Sequence, residues 1–406
     1  MIFQDGGLEL NLITSTALGA LLLVLGMLGR KKISFFEKYC IPAPVIGGFG
    51  FALLTWVLFE VNLPSISLDN TIGDLLMFVF FVTIGLGGSF DLIRKGGKIL
   101  FIYLLICWGL AIFQNGFGVA LATLLGIDPL LGIVAGAVAL EGGHGMAAAM
   151  APFIQDAGAE SALTVGMAAA TYGLVAGSLI GGPVGNWLIK RNNLKIETDA
   201  GWSKLVETGD NNSKDEITAK SIITIVAAIL IILAIGTNTA KWITDATGFT
   251  VPGHVFSLFV GLVFRSINEK KQYFAISQKT IDVISIIALE LFLTMAMMKL
   301  KIWELYDLAV PLIIILVAHT IAIVLIAVFI VFKFTGKNYD AALLASGFIG
   351  HGLGATANGL AVMDAVASKY GLVSRKAFFI IPVAGSMLID LVGVPCSVIF
   401  TNFFAH

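Results

Sequence analysis

Apolar residues fill this chain in long blocks, and polar residues are confined to short intervals between them. The blocks run at roughly 8–29, 42–60, 71–90, 99–125, 127–155, 161–189, 220–240, 251–266, 281–299, 306–332, 340–366 and 377–402. Most approach the ~20 residues that carry an α-helix across a bilayer. The pattern predicts an all-α integral membrane protein, and the charges between blocks decide how many of them cross.

Arg30, Lys31 and Lys32 follow the first block, which places that loop in the cytoplasm and the N-terminus outside. The interval from Glu60 to Asn70 carries acidic residues and no base, as an outer loop should, and Arg94, Lys95 and Lys98 return the chain inside. If block 127–155 crossed fully, the Lys190, Arg191 and Lys195 cluster would face outward. Entering and leaving by one side keeps that cluster inside. Block 340–366 has basic residues on both flanks (Lys333 and Lys337, then Lys369, Arg375 and Lys376) and reads the same way. The expected topology is ten spanning helices plus two re-entrant hairpins, with both termini extracytoplasmic. All five arginines and all lysines except Lys241, Lys299 and Lys301 then face the cytoplasm.

This arrangement divides into a first five-helix half over residues 1–190, a polar cytoplasmic linker over 191–219, and a second half over 220–406 that starts from the opposite side. Local echoes support an inverted repeat: Ile41-Pro42-Ala43-Pro44 against Val251-Pro252-Gly253-His254, and Gly182-Pro183 against Val394-Pro395. Inverted halves around a midplane site are a common basis for alternating access.

A glycine-rich element occurs in both hairpins, about 210 residues apart: Leu140-Glu141-Gly142-Gly143-His144-Gly145 and Gly350-His351-Gly352-Leu353-Gly354-Ala355-Thr356. Glycine runs at bilayer depth mark broken helices that line a cavity rather than face lipid. Free N–H groups at such breaks favour carboxylate oxygens, and freed carbonyls suit a small cation such as Na+. The candidate substrate-binding residues are Gly142, Gly143, His144, Gly145, Thr171, Gly352, Gly354, Ala355, Thr356 and Asn358. Ionisable groups inside a bilayer are costly and point to function, so Asp390, Glu141, His351 and Glu290 are the candidate coupling-ion residues, with Na+ at Asp390 and hairpin carbonyls. Gln114-Asn115 and His319-Thr320 hold equivalent places in the two halves and read as cross-helix hydrogen bonds or substrate contacts. His254 and His406 read as incidental.

Composition agrees with the membrane reading: 58% hydrophobic residues, 13% charged and a mean hydropathy of +0.95. A net charge of −1 gives no reason to expect nucleic acid as a partner. Cys40, Cys107 and Cys396 sit in or beside apolar segments without CxxC spacing and read as packing residues. Asp5 and Glu9 precede the first apolar block with no base, the wrong polarity for a signal peptide, so that block is expected to be retained. No nucleotide-binding GxxxxGK[ST] run occurs, which argues against a primary pump.

Gly142-Gly143-His144-Gly145, Thr171-Tyr172-Gly173-Leu174-Val175, Gly181-Gly182-Pro183-Val184, Gly336-Lys337-Asn338-Tyr339-Asp340 and Gly352-Leu353-Gly354-Ala355-Thr356 together resemble the bacterial sodium/glutamate symporters. The resemblance runs the full length, and Ile389-Asp390 extends it. It implies Na+-coupled glutamate uptake across the inner membrane, no cofactor besides Na+ as coupling ion, and a homodimer. The chain departs from the family pattern at Glu141 and Glu290, where a small polar residue is usual, and at Met146, His319 and Gly393. The rival expectations are proton coupling or another small carboxylate as substrate. A channel or a membrane enzyme is more remote, since no catalytic constellation is present.

Overall fold

A computed structural model describes residues 2–4, 7–38, 41–88, 90–196, 216–274 and 276–405. Cys40, His406 and most of the 191–219 linker lie outside them. The described chain is almost entirely helical: α1 Leu12–Lys32, α2 Ser34–Lys38, α3 Ala43–Glu60, α4 Thr71–Gly87, α5 Phe90–Leu124, α6 Pro129–Ile133, α7 Gly143–Asp156 and α8 Ala162–Arg191. Beyond the linker come α9 Ala219–Thr247, α10 Gly253–Lys271, α11 Gln278–Met298, α12 Ala309–Phe334, α13 Tyr339–Leu353, α14 Thr356–Tyr370, α15 Arg375–Val383 and α16 Asp390–Phe404.

Among the described residues, seven helices are long and apolar enough to cross a membrane: α1, α3, α5 from Gly97, α8, α9, α11 and α12. The other three expected spans differ for local reasons. Helix α4 is one residue under the length of α3, and α10 ends in the charged run Asn268-Glu269-Lys270-Lys271. The last block is not one helix, because a π-helical turn at Ala384–Leu388 separates α15 from α16.

Helix starts follow local chemistry. Asn11 caps α1 by accepting from the Thr14 N–H at 3.0 Å, and Asn338 caps α13 by accepting from Ala341 at 2.9 Å. Thr218 and Ser221 form a reciprocal capping box at the start of α9. Helices then pack through small residues, as membrane helices do. Gly26 of α1 meets the Ala43 carbonyl of α3, and Gly47 of α3 meets the Leu22 carbonyl of α1.

Polar side chains group the helix ends into two sets. At one end, the Tyr306 hydroxyl donates to Glu60 Oε1 at 2.6 Å while Trp56 Nε1 donates to the Tyr306 oxygen at 2.6 Å. Its hydrogen bond to Glu60 holds the Tyr306 hydroxyl above the usual phenol range. Thr164, at the start of α8, donates to Glu304 at 3.1 Å in the same region. At the other end, Ser221 and Thr280 hydroxyls lie 2.9 Å apart, and Tyr370 donates to Asn186 at 2.6 Å.

One feature of the chain runs against an all-helical expectation. Strands β1 Ile2–Gln4, β2 Gly7–Leu10 and β3 Ile66–Leu68 form a small sheet, with β1 and β2 antiparallel and β2 parallel to β3 in the register Leu8↔Ile66. It ties the N-terminal segment to the acidic 60–70 interval. Strand pairing satisfies backbone groups that two short extended segments would otherwise leave to water.

The close α1–α3 approach is testable. A Cβ at Gly47 would press on the Leu22 carbonyl carbon at 2.6 Å, whereas one at Gly50 meets nothing within 4 Å. Gly47→Ala is expected to lower stability by about 1–3 kcal/mol, read as a drop in the melting midpoint of detergent-solubilised protein, with Gly50→Ala close to wild type.

Candidate functional site

The first broken helix starts at Pro129, where Asp128 accepts from the Leu130 N–H at 2.8 Å. It passes through a π-helical turn at Val134–Val138 that contains non-helical Gly136. The break falls at Glu141-Gly142, and α7 starts at Gly143 with φ +62°, a conformation that costs glycine nothing and other residues dearly. The second broken helix is α13–α14. Leu353 ends the first arm, Gly354 and Ala355 are non-helical, and Thr356 starts the second.

Both elements fold back on themselves. A Cβ at Gly350 would lie 2.9 Å from the Gly359 Cα, so α13 and α14 run in close antiparallel contact. A Cβ at Gly166 of α8 would meet Val134 at 3.0 Å and Ala147 at 3.1 Å, so the two arms around Glu141 reach the same level of α8. The two breaks also meet each other: a Cβ on Gly143 would come within 2.9 Å of the Gly354 carbonyl oxygen. Gly173 of α8 packs on both, touching the Leu353 carbonyl and lying 3.0 Å from Leu140 by the same measure.

Buried polar groups brace these breaks. Gln114 Nε2 donates to the Gly352 carbonyl at 3.1 Å, and His319 Nε2 lies 3.2 Å from the Gln114 carbonyl. Asn115 donates to Ser397 Oγ at 3.2 Å, and the Thr320 hydroxyl pairs with Tyr172 at 3.1 Å. The paired polar residues of α5 and α12 therefore make the cross-helix hydrogen bonds that were one of their two sequence readings.

A cavity of about 400 Å³ opens beside the breaks. Its wall includes Glu141, Gly142, Ala355, Thr356, Gly385 and Asp390. A smaller space of about 20 Å³, the size of one water, is shared by Glu141, Gly142, Asp390, Gly393 and Ser397. Glu141 is 7% exposed and its Oε1 has no hydrogen-bond partner. Among the described residues lining the larger cavity there is no basic side chain.

The structure brings together Glu141, Gly142, Ala355, Thr356 and Asp390, and Gly143 and Gly354 where the breaks touch. Gly145 packs behind this wall, 3.1 Å from Leu289 by its absent Cβ, and Gly352 packs on Leu110. His144 turns the other way, with Nε2 at 2.9 Å from Thr171 Oγ1. Thr171 lines a separate apolar space of about 610 Å³ with Val45, Phe49 and Met297. Asn358 is 0% exposed and fully engaged: its Oδ1 accepts from Ser178 at 2.6 Å, and its Nδ2 donates to the Leu174 and Gly350 carbonyls, each at 3.2 Å. His351 is buried behind Thr356 and Gly385, and Glu290 lies half-buried on α11 outside the cavity lining.

Sequence reasoning missed the walls that α4 (Phe80, Thr83, Ile84 and Gly87) and α11 supply. Gln278, Asp282, Ser285 and Leu289 of α11 face the cavity, and Gln278 donates to Asp282 at 3.0 Å. Their spacing of four, three and four residues puts them on one helix face. Polar residues at that spacing in an apolar helix were the available signal.

Helices that break in pairs beside an acidic cavity in a membrane protein are the architecture of secondary transporters. The sodium/glutamate symporter family matches residues 8–372, and the chain belongs to it. It is 40% identical over 372 residues to a sodium/glutamate symporter of Escherichia coli (strain K12), covering 90% of this chain and 92% of that protein. It is 37% identical over 383 residues to one of Haemophilus influenzae, covering 93% of each. The solved sodium proton antiporter MjNhaP1 of Methanocaldococcus jannaschii aligns over 97% of this chain and 98% of its own, at 15% identity and a TM-score of 0.40, too loosely for any inference.

Removing the Asn358 amide would strand the Ser178 hydroxyl and two buried carbonyls. Asn358→Ala is expected to cost about 1–3 kcal/mol, measured as a lower melting midpoint of the purified protein. A midpoint equal to wild type would show that these bonds do not hold the α13–α14 hairpin.

Proposed function

We propose that this chain carries glutamate across the cytoplasmic membrane by Na+-coupled symport, with the cavity between the two glycine breaks as the transport site. The observation that carries the reading is the pairing of Glu141 and Asp390 at one cavity with no basic side chain on its described wall. Carboxylates without a basic partner in a bilayer attract cations. The same wall presents the start of α14, where Ala355 gives no side-chain cap, and the nearby start of α7 is likewise uncapped. Such helix starts favour the carboxylates of an acidic amino acid. Anion and cation thus have separate features in one space. The names of the matched relatives agree with this substrate and ion.

Within this reading, Asp390 and Glu141 hold the coupling ion together with carbonyls freed at the breaks, and Gly142, Gly143, Ala355 and Thr356 contact the substrate. Gly145, Gly352 and Gly354 allow the close packing that shapes the breaks. His144, Thr171 and Asn358 act on the substrate only through the elements they brace, and Glu290 only from outside the cavity.

The proposal includes ten spanning helices, with 127–155 and 340–366 as re-entrant hairpins and the two halves, 1–190 and 220–406, as an inverted repeat. Contacts between helix ends support it. Glu60 with Tyr306 and Thr164 with Glu304 join ends assigned outside, while Ser221 with Thr280 and Asn186 with Tyr370 join ends assigned inside. Gln278 and exposed Asp282 belong to the inside end of α11, so the cavity opens toward the cytoplasm. A homodimer in the inner membrane with both termini extracytoplasmic completes the proposal, and cysteine cross-linking and impermeant thiol labelling test it.

One observation favours a second reading: the extra carboxylate of Glu141 beside Asp390 suits a proton as coupling ion. Uptake of labelled L-glutamate into proteoliposomes separates the two. Accumulation driven by an inward Na+ gradient supports the first, and accumulation driven by a pH gradient without Na+ supports the second. Asp390→Asn is expected to weaken Na+ activation at least about tenfold, the loss of one charged ligand, with expression retained. Gly143→Val is expected to abolish uptake, since its backbone and the neighbouring Gly354 carbonyl leave no room for a branched side chain. Near-normal uptake would place the site elsewhere.

A further inference from the structure

Two stripes of residues line a space that the transport site does not use. Val45, Phe49 and Leu53, four apart on α3, form one side, and Thr164, Ala168 and Thr171 of α8 form another. The crevice holds about 610 Å³. It follows α3 for about 12 Å, eight residues of helix. Its polar atoms are already engaged: the Thr164 hydroxyl donates to Glu304 at 3.1 Å, and the Thr171 hydroxyl donates to the Met167 carbonyl at 2.8 Å. A cavity without free polar groups stays dry and suits an apolar molecule. Among the described residues no charged side chain lines it, so an acidic amino acid finds no partner there. Phe49 and Leu53 are exposed, so the crevice opens sideways beside α3, a helix long and apolar enough to cross a membrane. What lies beside such a helix is hydrocarbon.

One end of the crevice has positive charge next to it. Phe35, Phe36 and Ile41 line that end, where the Phe36 carbonyl accepts from the Ile41 N–H at 2.9 Å. Just before them α1 finishes in Arg30, Lys31 and Lys32. The last turn of α1 touches the crevice wall, since a Cβ at Gly29 would meet Ile46 at 3.4 Å. All three basic residues are exposed. Arg30 lies within electrostatic reach of Glu290 on α11, and none of the three is in an ion pair among the described residues. Glu37 is the one acid in α2. A basic cluster at the end of a membrane helix attracts anionic headgroups.

We propose that one acyl chain of an anionic glycerophospholipid fills this crevice, with its phosphate at Arg30, Lys31 and Lys32. The site is separate from the transport cavity and does not depend on which solute the chain carries. The lipid chain lies between α3, which packs on α1 and α11, and α8, which packs on α7, α13 and α14. Thr171 on its wall also meets His144, close to the first break, at 2.9 Å. The lipid is therefore a packing element between the helices that carry the breaks and those beside them.

Delipidated full-length protein in detergent provides the test, with the thermal midpoint as readout. Dioleoyl phosphatidylglycerol should raise the midpoint at concentrations at least about tenfold below those of dioleoyl phosphatidylcholine, the advantage expected of several basic residues beside an anionic headgroup. Dihexanoyl phosphatidylglycerol, whose chains are too short to follow the crevice, should have no such effect. A Cβ at Gly50, on the crevice wall, meets nothing within 4 Å, so Gly50→Phe fills the space without displacing backbone. That variant should lose the response to the long-chain lipids. Lys31→Gln combined with Lys32→Gln should keep a response to both and lose the preference between them. Equal responses of wild type to the two long-chain lipids overturn the headgroup assignment. A full response to the dihexanoyl lipid, or a long-chain response that survives Gly50→Phe, overturns the crevice. If Gly50→Phe turns a dimer into a monomer by light scattering, the occupant is a second copy of the chain and the proposal fails. If that variant does not fold, the chain-length comparison on wild type decides.

Discussion

Backbone hydrogen bonding inside a bilayer is the constraint from which this molecule is built. A helix satisfies its own N–H and C=O groups, and a broken helix in hydrocarbon does not. The chain breaks helices at Glu141-Gly142 and Gly354-Ala355 and protects both breaks with protein. Gln114 bonds the Gly352 carbonyl, Asn358 bonds the Gly350 and Leu174 carbonyls, and each break is packed against the other. Near the breaks Glu141 Oε1, Gln114 Oε1 and both His351 ring nitrogens make no hydrogen bond, and of these three residues Glu141 lines the cavity.

Much of this was legible in the sequence because the bilayer imposes simple signals. Apolar length marked the blocks, and seven of them are helices able to cross by length and composition. Glycine runs marked both breaks, and isolated carboxylates marked Glu141 and Asp390. The rest depended on three-dimensional direction, which composition does not carry. His144 and Asn358 sit in the same short motifs as the cavity residues, yet their side chains point into helix packing. Asp282 lay at the edge of an apolar block, and its helix face became visible only with α11 in place. The N-terminal strands were missed because three- and four-residue segments carry too little pattern to read.

Small residues recur where helix backbones approach most closely, at Gly26 and Gly47 between α1 and α3 and at Gly350 and Gly359 between α13 and α14. Side-chain ties fasten the helix ends instead. Trp56, Glu60 and Tyr306 form one such tie, reinforced by the stacked rings of Phe59 and Trp303, 4.3 Å apart. Close packing along the helices and polar bonds at their ends divide the work of holding a membrane protein for which burial in lipid supplies little association energy.

Gly173 of α8 contacts both breaks. One residue of α8 touches the Leu353 carbonyl and Leu140 together, so α8 serves as a common seat for the two breaks. A side chain at this one position would press on both breaks at once, so the spacing between them is set by a glycine in a helix outside the described cavity lining.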